Sequence, residues 1–211
     1  MSTALVVRGG WDGHRPVEQA DAMLPFLEDL GLEVIVSDTP ESCADPELMA
    51  RVDLIVQYIS MGTASDAAIA GLRSAVAAGA GFAGWHGGIV DSFRNSPDYL
   101  QLTGGQFTSH PGGIIDFEVR VTASHPIVAG VDTFAVTTEQ YWPLTDAHNE
   151  VLAETTIAAS SEWDAVTVPV VWTRRWGTGR VFVCTLGHDP AELADPILRG
   201  IIERGIDWAR R

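Results

Sequence analysis

Ala4 to Arg8, Leu32 to Ser37, Asp53 to Tyr58 and Gly81 to Trp85 are four short apolar runs, with a segment of helical character between each and the next. Apolar runs of this length, bounded by turn residues, are strands buried on both faces. Strands alternating with helices build βαβ units, which place a parallel sheet between two helical layers. The first intervening segment spaces Val17, Ala20, Leu24, Leu27 and Gly31 as one helix face, with a bend expected at Pro25. Asp45 followed by Pro46 is an N-cap with proline in first position, opening a short helix to about Arg51. Thr63 with Asp66 three residues on predicts a capped helix reaching about Ala78.

The second half has another texture. Ile114 to Val121 alternates, Phe134 to Thr138 is short and β-branched, and Val168 to Thr173 and Arg180 to Thr185 flank a turn at Gly177 to Gly179. Such strands predict mixed or antiparallel additions to the sheet. A last helix opens at Asp195 and Pro196 and carries Ile197, Ile201, Ile202 and Trp208. No repeat or linker divides the chain, so one α/β domain over residues 1–211 is expected.

Charge narrows the function classes. All 13 cations are Arg against 28 acids, a net charge of -15, and there is no Lys. Lysine Schiff bases, pyridoxal phosphate attachment and a phosphate-cradling P-loop are therefore excluded. Without a basic face no nucleic-acid partner is expected, and a neutral small molecule fits the field better than an acidic one. The two cysteines, Cys43 in a polar loop and Cys184 in an apolar strand, form no disulfide framework and point to a reduced, cytoplasmic setting. The opening residues lack the form of a signal peptide, and Arg73 with several glycines interrupts the apolar stretch from Ala67 to Trp85, so no membrane span is expected.

In open parallel sheets the ligand crevice lies beyond the carboxyl ends of the strands. Gly9-Gly10-Trp11-Asp12-Gly13-His14, Ser60-Met61-Gly62-Thr63, Trp85-His86-Gly87-Gly88 and Gly187-His188-Asp189-Pro190 all follow strands. Small residues around His86 describe a strained strand-to-helix elbow with a histidine at its tip. The plainer alternative is a tight turn whose imidazole bonds a backbone carbonyl. Phe107 to Gly113 reads as a flap carrying His110, or as an ordinary surface loop. Thr138-Glu139-Gln140-Tyr141-Trp142 ends a strand with a carboxylate, an amide and two aromatics, a mixture that suits the hydroxyls and C–H faces of a sugar. An exposed edge strand is the alternative there. His125 reads as a turn residue and His148 as solvated.

These motifs resemble the ThuA-like (trehalose utilisation) family of the class I glutamine amidotransferase-like superfamily. The likeness runs through Gly-Gly-x-x-x-His after the first strand, Gly-Trp-His-Gly-Gly at 84–88 and Leu-x-Gly-Gly-x-Phe-x-x-His-Pro at 102–111. It continues through His-Pro-Ile at 125–127, Glu-Gln-Tyr at 139–141, Pro-Val-Val-Trp at 169–172, and Gly-x-Gly-Arg-Val-Phe with Leu-Gly-His at 177–188. The resemblance implies a flavodoxin-like three-layer sandwich with extra strands. It sets His86 where amidotransferases carry their elbow cysteine, and makes His188 similar to their catalytic histidine, with Asp189 or Glu192 as the following carboxylate. Without an elbow thiolate no thioester forms, which excludes glutamine amide hydrolysis.

The reading favoured by these residues is an acid-base enzyme of trehalose or related disaccharide metabolism, keto-sugars included, acting by hydrolysis, elimination or isomerisation. His86, His188 and Glu139 are its expected catalytic groups, and His14, Trp11, His110, Tyr141 and Gly87 its expected substrate contacts. No cofactor is required by the sequence. A divalent metal such as zinc, held by His86, His110 and His188, is the first alternative, although no local ligand spacing marks it. A sugar-binding or partner-binding domain without turnover is the second. A homo-oligomer is compatible with either.

Overall fold

The computed structural model describes residues 2–210. The parallel half is built from β1 (Thr3–Gly10), β2 (Glu33–Ser37), β3 (Leu54–Ser60) and β4 (Gly81–Trp85). The helices between them are α1 (Pro16–Asp21), α2 (Leu24–Asp29), α3 (Pro46–Met49) and α4 (Asp66–Ala77). After β4 come α5 (Gly87–Val90), α6 (Pro97–Thr103) and β5 (Gly105–Ser109), then β6 (Ile114–Val121), β7 (Phe134–Glu139) and β8 (Trp142–Thr145). The chain closes through β9 (Glu150–Ile157), β10 (Val166–Trp176), β11 (Gly179–Cys184) and α7 (Pro196–Ala209).

Nine strands form one sheet in the order β2-β1-β3-β4-β11-β10-β9-β6-β7. Pairing is parallel from β2 to β11 and antiparallel from β11 to β7. The expected α/β sandwich with antiparallel additions is the observed fold. Its layers follow from strand alternation. Ala4, Val6, Leu54, Val56 and Phe182 face one core with Met23, Leu27, Ile201 and Ile202. Leu5, Val7, Ile55, Val181 and Val183 face the other with Ile69, Leu72 and Val76. Both faces are dry, which is why these strands read as unbroken apolar runs.

Local chemistry corrects several expectations. The segment from Pro16 to Asp29 is two helices and not one bent helix, with Pro25 in the first turn of α2. A proline there lacks only an N–H that no helix carbonyl needs, so it starts a helix more easily than it bends one. The cap of α4 is Ser65, not Thr63: its hydroxyl accepts the Ala68 N–H while its own N–H and O–H are held by Glu41. Cys43 is buried in a 3-10 helix over Pro40–Ala44, not in a polar loop. The segment bearing His110 is no free flap, because β5 pairs with β8 in a second, two-stranded sheet. No helix among the described residues is long and apolar enough to cross a membrane.

Candidate functional site

β1, β3, β4 and β11 lie side by side and point the same way, so their following loops meet at one end of the sheet. The β1 loop turns through a 3-10 helix over Asp12–His14 and buries the His14 ring. β3 ends on Ser60, whose hydroxyl contacts His14 Nδ1. Immediately after β4, His86 adopts φ 48°, a left-handed conformation rare for a residue with a side chain. The elbow expected from the sequence is therefore present, and so is its plainer alternative. The His86 N–H donates to Cys184 O at 2.7 Å, and Nδ1 lies 2.9 Å from Thr185 O. A carbonyl only accepts, so Nδ1 carries the proton, and in the neutral ring the Nε2 lone pair is directed inward.

Glu139 arrives from the far edge of the sheet, at the end of β7, and its carboxylate is only 12% exposed. Its Oε2 lies 3.3 Å from His86 Nε2, 3.2 Å from His188 Nδ1 and 3.9 Å from His14 Nε2. His188 Nδ1 is also 3.3 Å from His86 Nε2. The other carboxylate oxygen faces His110 Nε2 at 3.7 Å. Burial alone would push the Glu139 carboxyl up, but the hydrogen bond from His188, with the charge of that imidazole, holds it well below the usual carboxylate range. The Glu139 hydrogen bond raises His188 above its ordinary value in spite of burial. His14 moves the other way, to about 3, chiefly because it is buried and also because it faces His86 and His188.

The expected residues divide by place. His14, His86, Glu139 and His188 form the centre, and Tyr141 closes it with its hydroxyl 2.8 Å from His86 Nε2 and its ring 4.2 Å from the imidazole. His110 and Trp11 stand at the rim. His110 stacks with Phe107, and Trp11 meets the edge of the His14 ring while remaining 52% exposed. At Gly87, expected as a substrate contact, a Cβ would lie 2.4 Å from the His14 ring, so glycine makes room for that imidazole. His125 caps a 3-10 helix against Trp208, and His148 is exposed; both lie outside the centre as expected.

Asp189 and Glu192, the carboxylates expected behind His188, point elsewhere. Glu192 accepts the backbone N–H groups of His188 and Asp189, and Asp189 accepts that of Ala191, a capping box that leaves Glu139 as the carboxylate bonded to the imidazole. Three supporting residues were not among the expected site residues. Gln19, fully buried, donates to Gly187 O and His188 O and accepts from Trp85 Nε1, tying the His188 loop to the elbow strand. The Tyr58 hydroxyl donates to Gly187 O as well, and Ser60 orients His14. Ser60 was visible as the polar end of a buried strand, whereas Gln19 had no such mark.

The donor set suits a divalent cation. One atom from each of His14, His86, Glu139 and His188 lies within 4.8 Å of all the others. Four donors bound at 2.0–2.1 Å around a tetrahedral zinc stand about 3.3–3.4 Å apart. The separations of 3.2–3.3 Å among Glu139, His86 and His188 already match, and only His14 must move inward. The Nδ1–H of His86 on a backbone carbonyl is the outer contact that fixes a ligating ring. Relative to the expected ligands, His14 and Glu139 enter the set and His110 leaves it.

A protein-family model described as trehalose utilisation, ThuA, matches residues 3–209. A ThuA-like protein of Bacteroides uniformis ATCC 8492 superposes with a TM-score of 0.76 at 17% identity, over 98% of this chain and 91% of that one. A second, of Parabacteroides merdae ATCC 43184, gives 0.75 at 16% identity over 99% and 90%. A cytoplasmic protein of Salmonella typhimurium LT2 gives 0.68 at 15% identity over 99% and 100%. No curated protein matches the sequence significantly.

Proposed function

The chain belongs to the ThuA family, and from that premise we propose that it is a divalent-metal-dependent enzyme acting on a neutral sugar, by hydrolysis, elimination or isomerisation. The family's description as trehalose utilisation supports trehalose or a related disaccharide as the substrate, and a keto derivative of either is a further candidate. The observation that carries the metal reading is the convergence of three imidazoles and one carboxylate at ligand spacing, from four separate segments of the chain. A divalent cation at this place supplies Lewis-acid polarisation of a substrate oxygen. The chain's own residues do the rest. His14, His86, His188 and Glu139 would hold the cation, Trp11 and His110 would meet the sugar at the rim, and Gln19 keeps the His188 loop in register. The excess of acids across the chain suits an uncharged substrate, and the cytoplasm is the expected compartment.

A metal-free reading keeps one specific support. His188, raised by its bond to Glu139, is a general acid 3.3 Å from His86 Nε2, the nitrogen that the Tyr141 hydroxyl also contacts, and two imidazoles in one site can pass a proton through a substrate. Turnover of trehalose, related disaccharides and their keto forms separates the readings, using chelator-treated protein alone and with Zn²⁺, Mn²⁺ or Co²⁺ restored. Activity only after cation return is the expected result. Full activity of the stripped protein would transfer the function to the histidines alone. Binding without turnover under every condition would make the chain a sugar-binding domain.

A further inference from the structure

A neutral imidazole nitrogen has one in-plane lone pair, which takes either a proton donor or a cation. At His86 that lone pair has a suitor already. Thr185 O holds the Nδ1 proton, so the Tyr141 hydroxyl, 2.8 Å from Nε2, is the donor of that bond. The ring is held in that orientation by the Nδ1 bond to Thr185 O, by the Tyr141 ring beside it and by complete burial. Tyr141 is equally fixed, buried with its ring 4.4 Å from Phe107 and 4.2 Å from His86. Its hydroxyl therefore stays in the cluster whichever partner it has.

We propose that Tyr141 is a positioning residue that occupies His86 Nε2 in the metal-free protein and turns its O–H to a substrate oxygen when a cation takes that lone pair. The inference rests on the metal reading above and deepens it. A buried hydroxyl without an acceptor is costly, so once displaced from His86 the Tyr141 proton selects a ligand that presents a hydroxyl or carbonyl oxygen beside the cation. One exchange of partners thus couples cation binding to substrate orientation.

The test titrates ZnCl₂ into metal-stripped wild-type protein and Tyr141→Phe by calorimetry, following tyrosine difference absorbance in parallel. Phenylalanine keeps the ring between Phe107 and His86, and a single cooperative melting transition of the metal-free variant, lowered only by the loss of one hydrogen bond, confirms that it folds. Zinc is expected to bind the variant about two- to tenfold more tightly, the worth of one neutral hydrogen bond removed from competition. A tyrosine difference signal is expected on zinc addition to the wild type only. Equal or weaker zinc binding by Tyr141→Phe, with the wild type binding normally, overturns the exchange and leaves the metal centre standing. A wild-type protein that takes up no zinc overturns the metal centre and the exchange with it.

Discussion

His14 and His188 face the same carboxylate oxygen, yet their surroundings drive them in opposite directions. His14 has lost water and gained two imidazole neighbours, and at 3.9 Å its share of Glu139 is too small to offset them. His188 keeps some solvent and a direct bond to Glu139, so its charged form is favoured. Each shift gives stability a pH dependence. Below the ordinary histidine value of 6.5, the unfolded chain binds a proton at position 14 that the folded chain refuses until about 3. Stability must fall as pH drops through that window, by up to about 1.4 kcal/mol per pH unit. The contribution of His188 is complete below 6.5 and is lost as pH rises through its raised folded value. In metal-free protein the cluster therefore favours folding most near 6.5. Urea midpoints measured from about pH 4.5 to about pH 8.5 should show both limbs. His14→Gln should flatten the acid limb, and His188→Gln should abolish the alkaline limb while weakening the acid limb only slightly, since burial is the larger cause of the His14 shift. An acid limb unchanged in His14→Gln would remove burial of that ring as its cause.

At the scale of elements, the turn from β4 into α5 decides whether the histidines can meet. His86 leads it in a left-handed conformation, and the two glycines behind it admit neighbours that no side chain would tolerate. A Cβ on Gly88 would lie 2.5 Å from the Tyr58 ring, and one on Gly87 would lie 2.4 Å from His14. Gly87→Ala should displace the His14 imidazole, weaken zinc binding by tenfold or more and cost about 1–3 kcal/mol of stability from overpacking. Calorimetry and a urea titration check the two effects, and a variant that matches the wild type in both would show that the contact does not constrain the site. The elbow was legible in the sequence because it is local: small residues around one histidine, directly after a buried strand. Strands β1, β3 and β4 were legible for the same reason, since burial on both faces leaves unbroken apolar runs, whereas β2, read as one of the same kind, is the edge of the sheet and only partly buried. Glu139 shows where legibility ended. Its place at a strand end could be read, but its meeting with His86 and His188 depends on the order β11-β10-β9-β6-β7, a set of long-range pairings that no local pattern encodes. The carboxylates adjacent in sequence, Asp189 and Glu192, were the nearer guess, and the structure uses them to cap a helix.

Across the whole molecule the site is a junction. His14, His86 and His188 belong to the parallel half, whereas Glu139 belongs to the strand at the far edge of the antiparallel half. A cation bound to all four would tie β7 to the loops after β1, β4 and β11 at a point now held by contacts of the imidazoles with Glu139 and by the Tyr141–His86 hydrogen bond. The net charge of -15 assists, because an acidic surface raises the local concentration of divalent cations while repelling anions. A ligand that binds only the folded state stabilises it by about 2.7 kcal/mol at a hundredfold excess over its dissociation constant. For a chain of this size that raises the melting temperature by about 5–11 °C. Zinc at that excess should therefore raise the wild-type melting temperature by this amount. Glu139→Gln keeps the shape of the side chain but removes the charge and one ligand oxygen, so the same zinc concentration should raise its melting temperature by less than half as much. Scanning calorimetry of both proteins, stripped and zinc-loaded, provides the comparison. A full shift in Glu139→Gln would place the cation on the three histidines without the antiparallel half. No shift in either protein would show that zinc does not bridge the two halves of the sheet.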